Sequence, residues 1–341
     1  MNYRESSSIK QKIDSSQKVL VNMHHNPDAD SVGSAVAIAR VLKYFSPTSH
    51  EATLGASKEV KIISPTEVPK NLQFLLENEN YEVIDFGKFD TREYDLFITL
   101  DSSSWSRVSG QHKAKKPEIS IINIDHHVSN QRFGDLNLVV ADAAANCEVL
   151  YFLFEDWEVP IEPLAEPLLA GIIGDTGAFR FPEADQKTFE VVGELMKYAD
   201  KNKIIFNLYQ SFEESHIMVW KEIIDNLNID HECKFVYSFI RKQILEQYGK
   251  PFNAKSELAD MIFQSISGTN FGLVGAQDEG YISISFRSRT GVDVSKLAES
   301  LGGGGHAWAS AARVDILDDS YEATTEKVLA MVREFAKTVQ K

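Results

Sequence analysis

Short apolar runs in this chain end directly before a histidine or an aspartate. The runs and the residues that follow them are Val19–Met23 with His24, Leu96–Leu100 with Asp101, and Ile119–Ile124 with Asp125. Continuous apolar runs of this length predict strands that are buried on both faces of a parallel sheet. Because the ligand sites of such sheets lie where the strands end, these polar residues are expected in neighbouring loops. The pattern therefore predicts an α/β protein with a polar site at one edge of its sheet.

Strand-like and helix-like segments alternate between residues 18 and 180. A helix is predicted from about Ser31, because apolar residues recur along it at helical spacing. Those residues are Ala35, Ile38, Ala39, Leu42 and Phe45. Further strands are expected at Glu59–Ile63 and Leu136–Ala141, and a helix at Cys147–Asp156 with Asn146 as its N-cap. Alternation of this kind favours a parallel sheet with helices on both faces.

The pattern changes after Phe181. Residues 185–229 look helical and lack strand-like runs, which predicts a helical connector. The later elements expected are strands at Lys234–Ile240 and Tyr281–Arg287 and helices at Val294–Leu301 and Tyr321–Val339. The predicted organisation is a first domain over residues 1–184, the connector, and a smaller α/β domain over residues 230–341. The functional site is expected in the cleft between these two domains.

Charge and cysteine content argue against several classes of protein. Lysine and arginine total 35 against 50 aspartates and glutamates, a net charge of −15, so a whole-surface grip on duplex nucleic acid is not expected. Cys147 and Cys233 are too few for a disulfide framework and fit a reducing cytoplasm. Residues 1–16 do not resemble a signal peptide, and no apolar run approaches the length of a membrane span. The sequence is compatible with a dimer but does not specify an oligomeric state.

Carboxylates and imidazoles dominate the predicted sheet edge. The candidate ligands of metal ions are His24, Asp28, Asp30, Asp101, Asp125, His126, His127 and Asp175. Alternate positions in an extended segment point to opposite sides, so Asp28 and Asp30 are expected to face two adjacent cations. Oxygen and imidazole ligands without cysteine favour manganese or magnesium over a structural zinc. Two such ions lower the pKa of a shared water and orient it for in-line attack on a phosphate ester.

Each of these residues has an ordinary structural explanation when it is considered alone. A single aspartate at the end of a strand is most often a turn former or a helix cap, and a pair of histidines most often belongs to a surface or a core. Four such segments, each at the end of an element in one α/β pattern, are hard to explain as caps. A metal centre is therefore the favoured interpretation, with capping as the alternative.

The same segments together resemble the sequence motifs of the DHH phosphoesterase family. They are His24-x-Asn26-Pro27-Asp28-x-Asp30-x-x-Gly33-Ser34, Asp101, Asp125-His126-His127 and Gly174-Asp175-Thr176-Gly177. Gly302–Gly305, followed by His306, Ala309 and Ser310, is similar to the glycine-rich motif of the DHHA1 domain that accompanies this family. The resemblance spans about residues 18 to 315. Length and motif order look most like the nanoRNase and pAp phosphatase (oligoribonuclease) branch.

The resemblance implies two divalent cations, with manganese favoured and magnesium or cobalt as alternatives. The implied ligands are His24 and Asp28 for the first cation, Asp30, His126 and Asp175 for the second, and Asp101 as a bridge. His127 would contact the scissile phosphate and assist proton transfer to the leaving oxygen. Asp125 would orient His126 or His127. His25 fills a variable position of the motif and is not expected to take part directly.

The glycine-rich segment is implied to bind the far phosphate of the substrate. The candidate residues are Arg287, Arg289, His306, Gly304 and Gly305. Backbone N–H groups beside arginine make a good anion site; Ser285 and Ser288 are weaker candidates. The alternative is that glycines after a helix form only a C-cap and turn. The family usually has glycine where this chain has Ala311, a departure that bears on the substrate rather than on the metal chemistry.

The resemblance implies hydrolysis of short single-stranded oligoribonucleotides to 5′-mononucleotides, and of 3′-phosphoadenosine 5′-phosphate (pAp) to AMP, by in-line attack of a hydroxide shared by two metals. Alternatives within the family are a phosphodiesterase for cyclic or linear dinucleotides, a RecJ-like single-strand exonuclease and a family II pyrophosphatase. A nucleotide-sensing module is the non-enzymatic alternative, which the complete ligand set disfavours. A serine nucleophile is not supported, because Ser102–Ser104 lack a G-x-S-x-G elbow.

Overall fold

Two six-stranded sheets organise this chain in the computed structural model, which describes residues 3–44, 58–111, 114–251, 253–316 and 320–339. Each sheet belongs to one of two units, Met1–Ser211 and Phe212–Lys341. Phe45, assigned to a helix from its spacing, lies outside the described residues. Within these described stretches, no helix is long and apolar enough to cross a membrane.

The first unit contains a fully parallel sheet. Its strands are β1 (Lys18–Asn22), β2 (Glu59–Ser64), β3 (Tyr81–Val83), β4 (Leu96–Leu100), β5 (Ser120–Asp125) and β6 (Leu136–Val139). They lie side by side in the order β3-β2-β1-β4-β5-β6. Strands β1, β4 and β5 are almost wholly buried, because hydrophobic clusters cover both faces of the sheet. The predicted α/β fold with a parallel sheet is therefore confirmed.

The strand order brings the ends of β1 and β4 together. Strands β2 and β3 are added on one side of β1, whereas β4 is added on the other side. Asn22 of β1 is therefore paired with Thr99 of β4. Leu100 of β4 in turn stands opposite Ile124 of β5. Parallel sheets place ligand sites at such a switch in strand order, outside the carboxyl ends of the strands. The loops that follow β1, β4 and β5 therefore open at the same edge.

Helices cover both faces of this sheet. They are α1 (Ser6–Asp14), α2 (Ala29–Tyr44), α3 (Trp105–Ser109), α4 (Asn146–Asp156), α5 (Ala165–Asp175), α6 (Gln186–Leu195) and α7 (Lys201–Tyr209). Helices α2, α4 and α5 pack together on one face, whereas α3 contributes to the cluster on the other. A Cβ on Gly33 would lie 2.3 Å from the carbonyl oxygen of Pro167, and one on Gly171 would lie 2.3 Å from Cys147 Sγ. Glycine at these two positions therefore permits the close helix packing.

The second unit contains a mixed sheet. Its strands are β7 (Asn228–Asp230), β8 (Phe235–Ile240), β9 (Phe271–Asp278), β10 (Tyr281–Ser288), β11 (Gly304–Gly305) and β12 (Ala309–Asp315). They lie in the order β11-β12-β10-β9-β8-β7, with β8 and β9 parallel and the other neighbours antiparallel. The helices are α8 (Glu214–Asp225), α9 (Lys242–Gln247), α10 (Ala254–Leu258), which continues as a π-helical turn at Ala259–Phe263, α11 (Val294–Ser300) and α12 (Tyr321–Val339). Separate hydrophobic clusters fill the two faces of this sheet.

The two units divide inside the segment that the sequence assigns to a connector. Helices α6 and α7 belong to the first unit and α8 to the second. The three-part division therefore stays a prediction.

Strand β9 is not visible in the sequence, because glycines interrupt its apolar pattern. The packing of the sheet nevertheless requires one of these glycines, since a Cβ on Gly275 would lie 2.2 Å from the Phe239 ring.

Candidate metal centre

Four segments deliver carboxylates and imidazoles to the carboxyl edge of the first sheet. His24 Nε2 lies 3.2 Å from Asp101 Oδ2 and 3.4 Å from Asp28 Oδ2. His126 Nε2 lies 3.5 Å from Asp101 Oδ1, 3.2 Å from Asp175 Oδ2 and 4.0 Å from Asp30 Oδ2. The two oxygens of Asp101 therefore face different histidines, and the ligand atoms form two groups that share this carboxylate.

Asp101 holds its position through an unusual backbone conformation. Its φ is 50°, in the left-handed region that aspartate and asparagine tolerate better than most residues. Its N–H donates to the carbonyl oxygen of Ile124 on the neighbouring strand. The carboxylate is almost fully buried, and its Oδ1 accepts no hydrogen bond from the described residues. A buried oxygen of this kind requires a partner, and a cation at this point would provide one.

Helix caps orient Asp28 and Asp30. Asp28 Oδ1 accepts from the N–H of Ser31 in the first turn of α2, while Oδ2 faces His24. Asp30 accepts from the N–H groups of Asn146 and Cys147 at the start of α4, at 2.6 and 2.9 Å. Capping is therefore what aims these carboxylates, so the alternative drawn from the sequence describes part of the same arrangement.

Two details predicted for these segments are wrong. Asp28 and Asp30 do not lie in one extended segment, because α2 begins at Ala29; they face different histidines because a helix turns between them. Asn146 is the first residue of α4 rather than its N-cap, which is Ala145. Its side-chain amide instead donates to Ser34 Oγ, because the carboxylate of Asp30 already caps the helix.

Backbone carbonyls orient both inward-facing imidazoles. His24 Nδ1 lies 3.1 Å from the carbonyl oxygen of His25, and His126 Nδ1 lies 3.1 Å from that of Ala143. A carbonyl can only accept, so these contacts place a ring proton on Nδ1 and direct Nε2 at the carboxylates. Histidines that ligate metals are usually held in this way.

His127 is oriented differently from these two imidazoles. Its Nδ1 lies 2.8 Å from Asp125 Oδ1 and 3.5 Å from Asp101 Oδ1. Asn130 Nδ2 donates to the other oxygen of Asp125. Of the two histidines that Asp125 was expected to orient, it contacts His127. A buried carboxylate that fixes the tautomer and angle of an imidazole is a common support for proton transfer.

The crowding of charges shifts the pKa of several groups in the centre. Burial, reinforced by Asp30 and Asp101, holds the pKa of Asp175 well above its ordinary value. Burial and the charge of Asp101 raise the pKa of Asp30 to about 7. For His126, burial opposes protonation, but the charges of Asp175 and Asp101 outweigh it and hold the pKa well above its usual range. Protons neutralise this crowded set, and divalent cations would take their place.

The donor set fits divalent cations. Ligand atoms of His24, Asp28 and Asp101 lie within 4.8 Å of one another, and so do those of Asp30, His126 and Asp175. Asp101, Asp125 and His127 form another such group. Carboxylate oxygens and imidazole nitrogens without thiolates suit hard or borderline metals such as manganese and magnesium.

The candidate anion site of the second unit has a different character. Arg287 on β10 pairs with Asp260 of the π-helical turn through Nε and Nη2. Two further contacts join the same elements: Lys255 Nζ donates to Ser283 Oγ at 2.9 Å, and the hydroxyls of Ser256 and Ser285 lie 3.0 Å apart. We name these three contacts, between α10 with its π-helical turn and β10, the polar ladder. It already supplies Arg287 with an anionic partner.

The glycine-rich segment combines a turn with a short strand. Gly302 and Gly303 donate to the carbonyl oxygens of Glu299 and Ala298, which is the C-cap pattern given as the alternative. Gly304 and Gly305 form β11 and pair with Ala311 and Ser310 of β12. Two other candidates for anion binding contact backbone carbonyls. The His306 N–H donates to the carbonyl oxygen of Ala309, and Arg289 Nη1 donates to the carbonyl oxygen of Thr269. Ala311 is exposed within its strand.

Residues beside the centre were missed from the sequence. Arg107 on α3 places Nη2 3.1 Å from His24 Nε2. Asn130 contacts Asp125, Asn123 and the carbonyl oxygen of Ser102. Arg107 and Asn130 do not belong to any of the acid-and-histidine motifs. The one sequence signal for Arg107 is its position six residues after Asp101.

Family comparisons agree with this geometry. The model of the DHH family N-terminal domain matches residues 18–172, and that of the DHHA1 domain matches residues 233–338. Together they match more than half of the chain. The chain therefore belongs to the DHH family of phosphoesterases and carries a DHHA1 domain, as the motifs indicated. It is accordingly a metal-dependent hydrolase of phosphoric esters.

Individual relatives share nearly the whole length of the chain. It is 27% identical to the bifunctional oligoribonuclease and PAP phosphatase NrnA of Bacillus subtilis, over 89% of this chain and 91% of that protein. For the NrnA of Thermus thermophilus the identity is 28%, over 93% and 89%. Among solved structures, an exopolyphosphatase-related protein from Bacteroides fragilis superposes with a TM-score of 0.83 at 18% identity, covering 99% of this chain and 98% of that one. The last comparison supports the fold alone.

Proposed function

We propose that this protein hydrolyses short single-stranded oligoribonucleotides to 5′-mononucleotides and pAp to AMP. The observation that carries the proposal is the carboxylate of Asp101, shared between a group around His24 and a group around His126. Such an arrangement suits two adjacent cations and in-line displacement at phosphorus. The NrnA proteins, named for both activities, match this chain over most of its length.

In this proposal each group of side chains has a distinct task. His24 and Asp28 would hold one cation, Asp30, His126 and Asp175 would hold the other, and Asp101 would serve both. Bound divalent cations supply Lewis acidity and a water of lowered pKa, with Mn²⁺ as the favoured ion. The capped carboxylates and carbonyl-bound imidazoles keep the ligands in place, so little reorganisation is needed when the substrate binds.

His127 has the task of contacting the substrate. Its Nδ1 is engaged by Asp125, so the ring presents Nε2 as the atom for the phosphate or for the leaving oxygen. An imidazole held in this way donates a proton to the oxygen that departs as the bond to phosphorus breaks. We assign the anchoring of a more distant phosphate to the DHHA1 unit, through Arg287, Arg289 and the backbone near His306.

The test is hydrolysis by the purified full chain with Mn²⁺. The substrates are pAp, an end-labelled RNA of a few nucleotides, cyclic di-AMP and inorganic pyrophosphate, each also offered to Asp101→Asn. Turnover of pAp and RNA by the native chain, lost in the variant, would support the proposal, and the label would report the direction of degradation. Turnover of cyclic di-AMP alone would favour the cyclic dinucleotide phosphodiesterase, and turnover of pyrophosphate alone a pyrophosphatase. Turnover of none would favour a nucleotide-sensing module.

A further inference from the structure

Arg107 lies at the edge of the candidate metal centre, on a short helix that is capped at both ends. Helix α3 begins four residues after Asp101, with Ser104 as its N-cap and Gly110 in the left-handed conformation at its end. The carbonyl oxygen of Arg107 accepts from the N–H of His25, which ties α3 to the loop after β1. This hydrogen bond joins two backbone groups, so a substitution of the side chain at residue 107 leaves it in place.

The side chain of Arg107 contacts the first group of candidate ligands. Nη2 lies 3.1 Å from His24 Nε2 and 3.9 Å from Asp28 Oδ2. The second distance is too long for a hydrogen bond, so the guanidinium is not locked in a two-pronged pair with that carboxylate. The side chain is 41% exposed, so it reaches the centre from the solvent side.

Arg107 and a cation compete for the same atom. His24 Nδ1 lies against a backbone carbonyl, so Nε2 is the ring atom that would ligate a cation. A cation bound at Nε2 would occupy the position beside the guanidinium and would repel its positive charge. When the first cation binds, the guanidinium must therefore turn to another acceptor.

We propose that this new acceptor is a non-bridging oxygen of the phosphoryl group under attack, so that Arg107 is a catalytic residue and metal binding at His24 releases it for that contact. The inference rests on the proposed function. A guanidinium stays charged at any pH at which the enzyme works, and its planar donors match the spacing of phosphoryl oxygens. Positive charge placed at these oxygens stabilises the transition state of phosphoryl transfer.

The test uses the full chain with Arg107→Gln and Arg107→Lys. Arg92→Gln is the matched control, because Arg92 is an exposed arginine of the same unit that pairs with Asp90 and makes no contact with the centre. Calorimetry gives the affinity of the metal-free proteins for Mn²⁺ and the affinity of the Mn²⁺-loaded proteins for inorganic phosphate. Turnover of pAp is measured in parallel.

For Arg107→Gln, we expect phosphate affinity to fall about tenfold or more and kcat to fall about 10²-fold. Mn²⁺ affinity should be unchanged or higher, because the competing donor is gone. Arg107→Lys should recover part of both losses, and Arg92→Gln should match the native chain. Unchanged phosphate affinity in Arg107→Gln, or a loss of Mn²⁺ affinity large enough to explain the other losses, would overturn the inference. If the native chain hydrolyses neither pAp nor RNA, the proposed function fails, whereas phosphate binding still decides the role of Arg107.

Discussion

The candidate metal centre of the first unit and the polar ladder of the second both contain carboxylates, but they arrange their charges in opposite ways. In the centre, Asp30, Asp101 and Asp175 all converge on one imidazole, so acids face one another across a few ångströms. In the ladder, Arg287 has its own carboxylate in Asp260. Burial and the convergence of like charges raise the pKa of Asp30 and Asp175, which protons or cations can neutralise, whereas the arginine in the ladder is already paired. The comparison teaches that converging acids, more than the mere presence of charge, mark a site for a ligand.

The largest expected effect is at the shared carboxylate. Asp101→Asn should lower turnover of pAp by at least about 10³-fold and weaken binding of both cations, because the bridging negative charge is gone. Asparagine tolerates the left-handed backbone at this residue, so the thermal unfolding midpoint of the metal-free variant should match that of the native chain. Calorimetry with Mn²⁺ and a kinetic assay provide the measurements. Appreciable residual turnover would remove Asp101 from the bridging role.

The next effect distinguishes the two adjacent histidines. His127→Gln should keep both cations and lower kcat by about 10²-fold, because its expected partner is the substrate. His126→Gln is the matched comparison, and it should lose affinity for the second cation. Metal binding and turnover are measured for both variants. Loss of metal in the His127 variant, with retention in the His126 variant, would mean that the two roles are exchanged.

A smaller effect is expected in the polar ladder. If Arg287 anchors a distal phosphate, Arg287→Gln should raise KM for pAp about tenfold with little change in kcat, because a charge-assisted hydrogen bond contributes about 1.5–3 kcal/mol. Asp260→Asn weakens the competing ion pair and should lower KM or leave it unchanged. Steady-state kinetics of both variants test this. If KM stays constant and both variants only lower the unfolding temperature, the ladder is structural and the anchor lies elsewhere.

The smallest effect concerns a carboxyl group beside the ladder. Burial and the charge of Asp260 raise the pKa of Glu257 to about 8, and His216 Nε2 lies 3.8 Å from its Oε2. The folded chain therefore keeps a proton that the unfolded chain loses above its ordinary pKa of 4.5. Native stability should fall as pH rises through this window.

Glu257→Gln carries no such proton. The free energy of unfolding of Glu257→Gln minus that of the native chain should be near zero at about pH 4.5 and should increase up to about pH 8. Urea denaturation of both proteins across this range measures the difference. A constant difference would show that the carboxyl group ionises with its ordinary pKa in the folded chain.

The sequence predicted the centre better than it predicted the ladder, for a physical reason. Candidate ligands of the centre lie at or just after the ends of β1, β4 and β5, so a local pattern reveals them. Contacts between residues far apart in the sequence could not be predicted from a local pattern. One example is the capping of α4 by the carboxylate of Asp30, and another is the contact of Arg107, on the helix that follows β4, with His24, which follows β1. The pairing of Arg287 with Asp260 was missed because no pattern indicated the π-helical turn.

The order in which the centre is built has a consequence for synthesis. His24 leaves the ribosome about 150 residues before Asp175, which at about 5–20 residues per second corresponds to roughly 8–30 s. During that interval the nascent chain has His24, Asp28 and Asp30 but lacks α5, which ends in the last candidate ligand. If Asp30, His126 and Asp175 hold the second cation as proposed, its capture has to wait for the synthesis of α5 and is a late event in the biogenesis of the first unit.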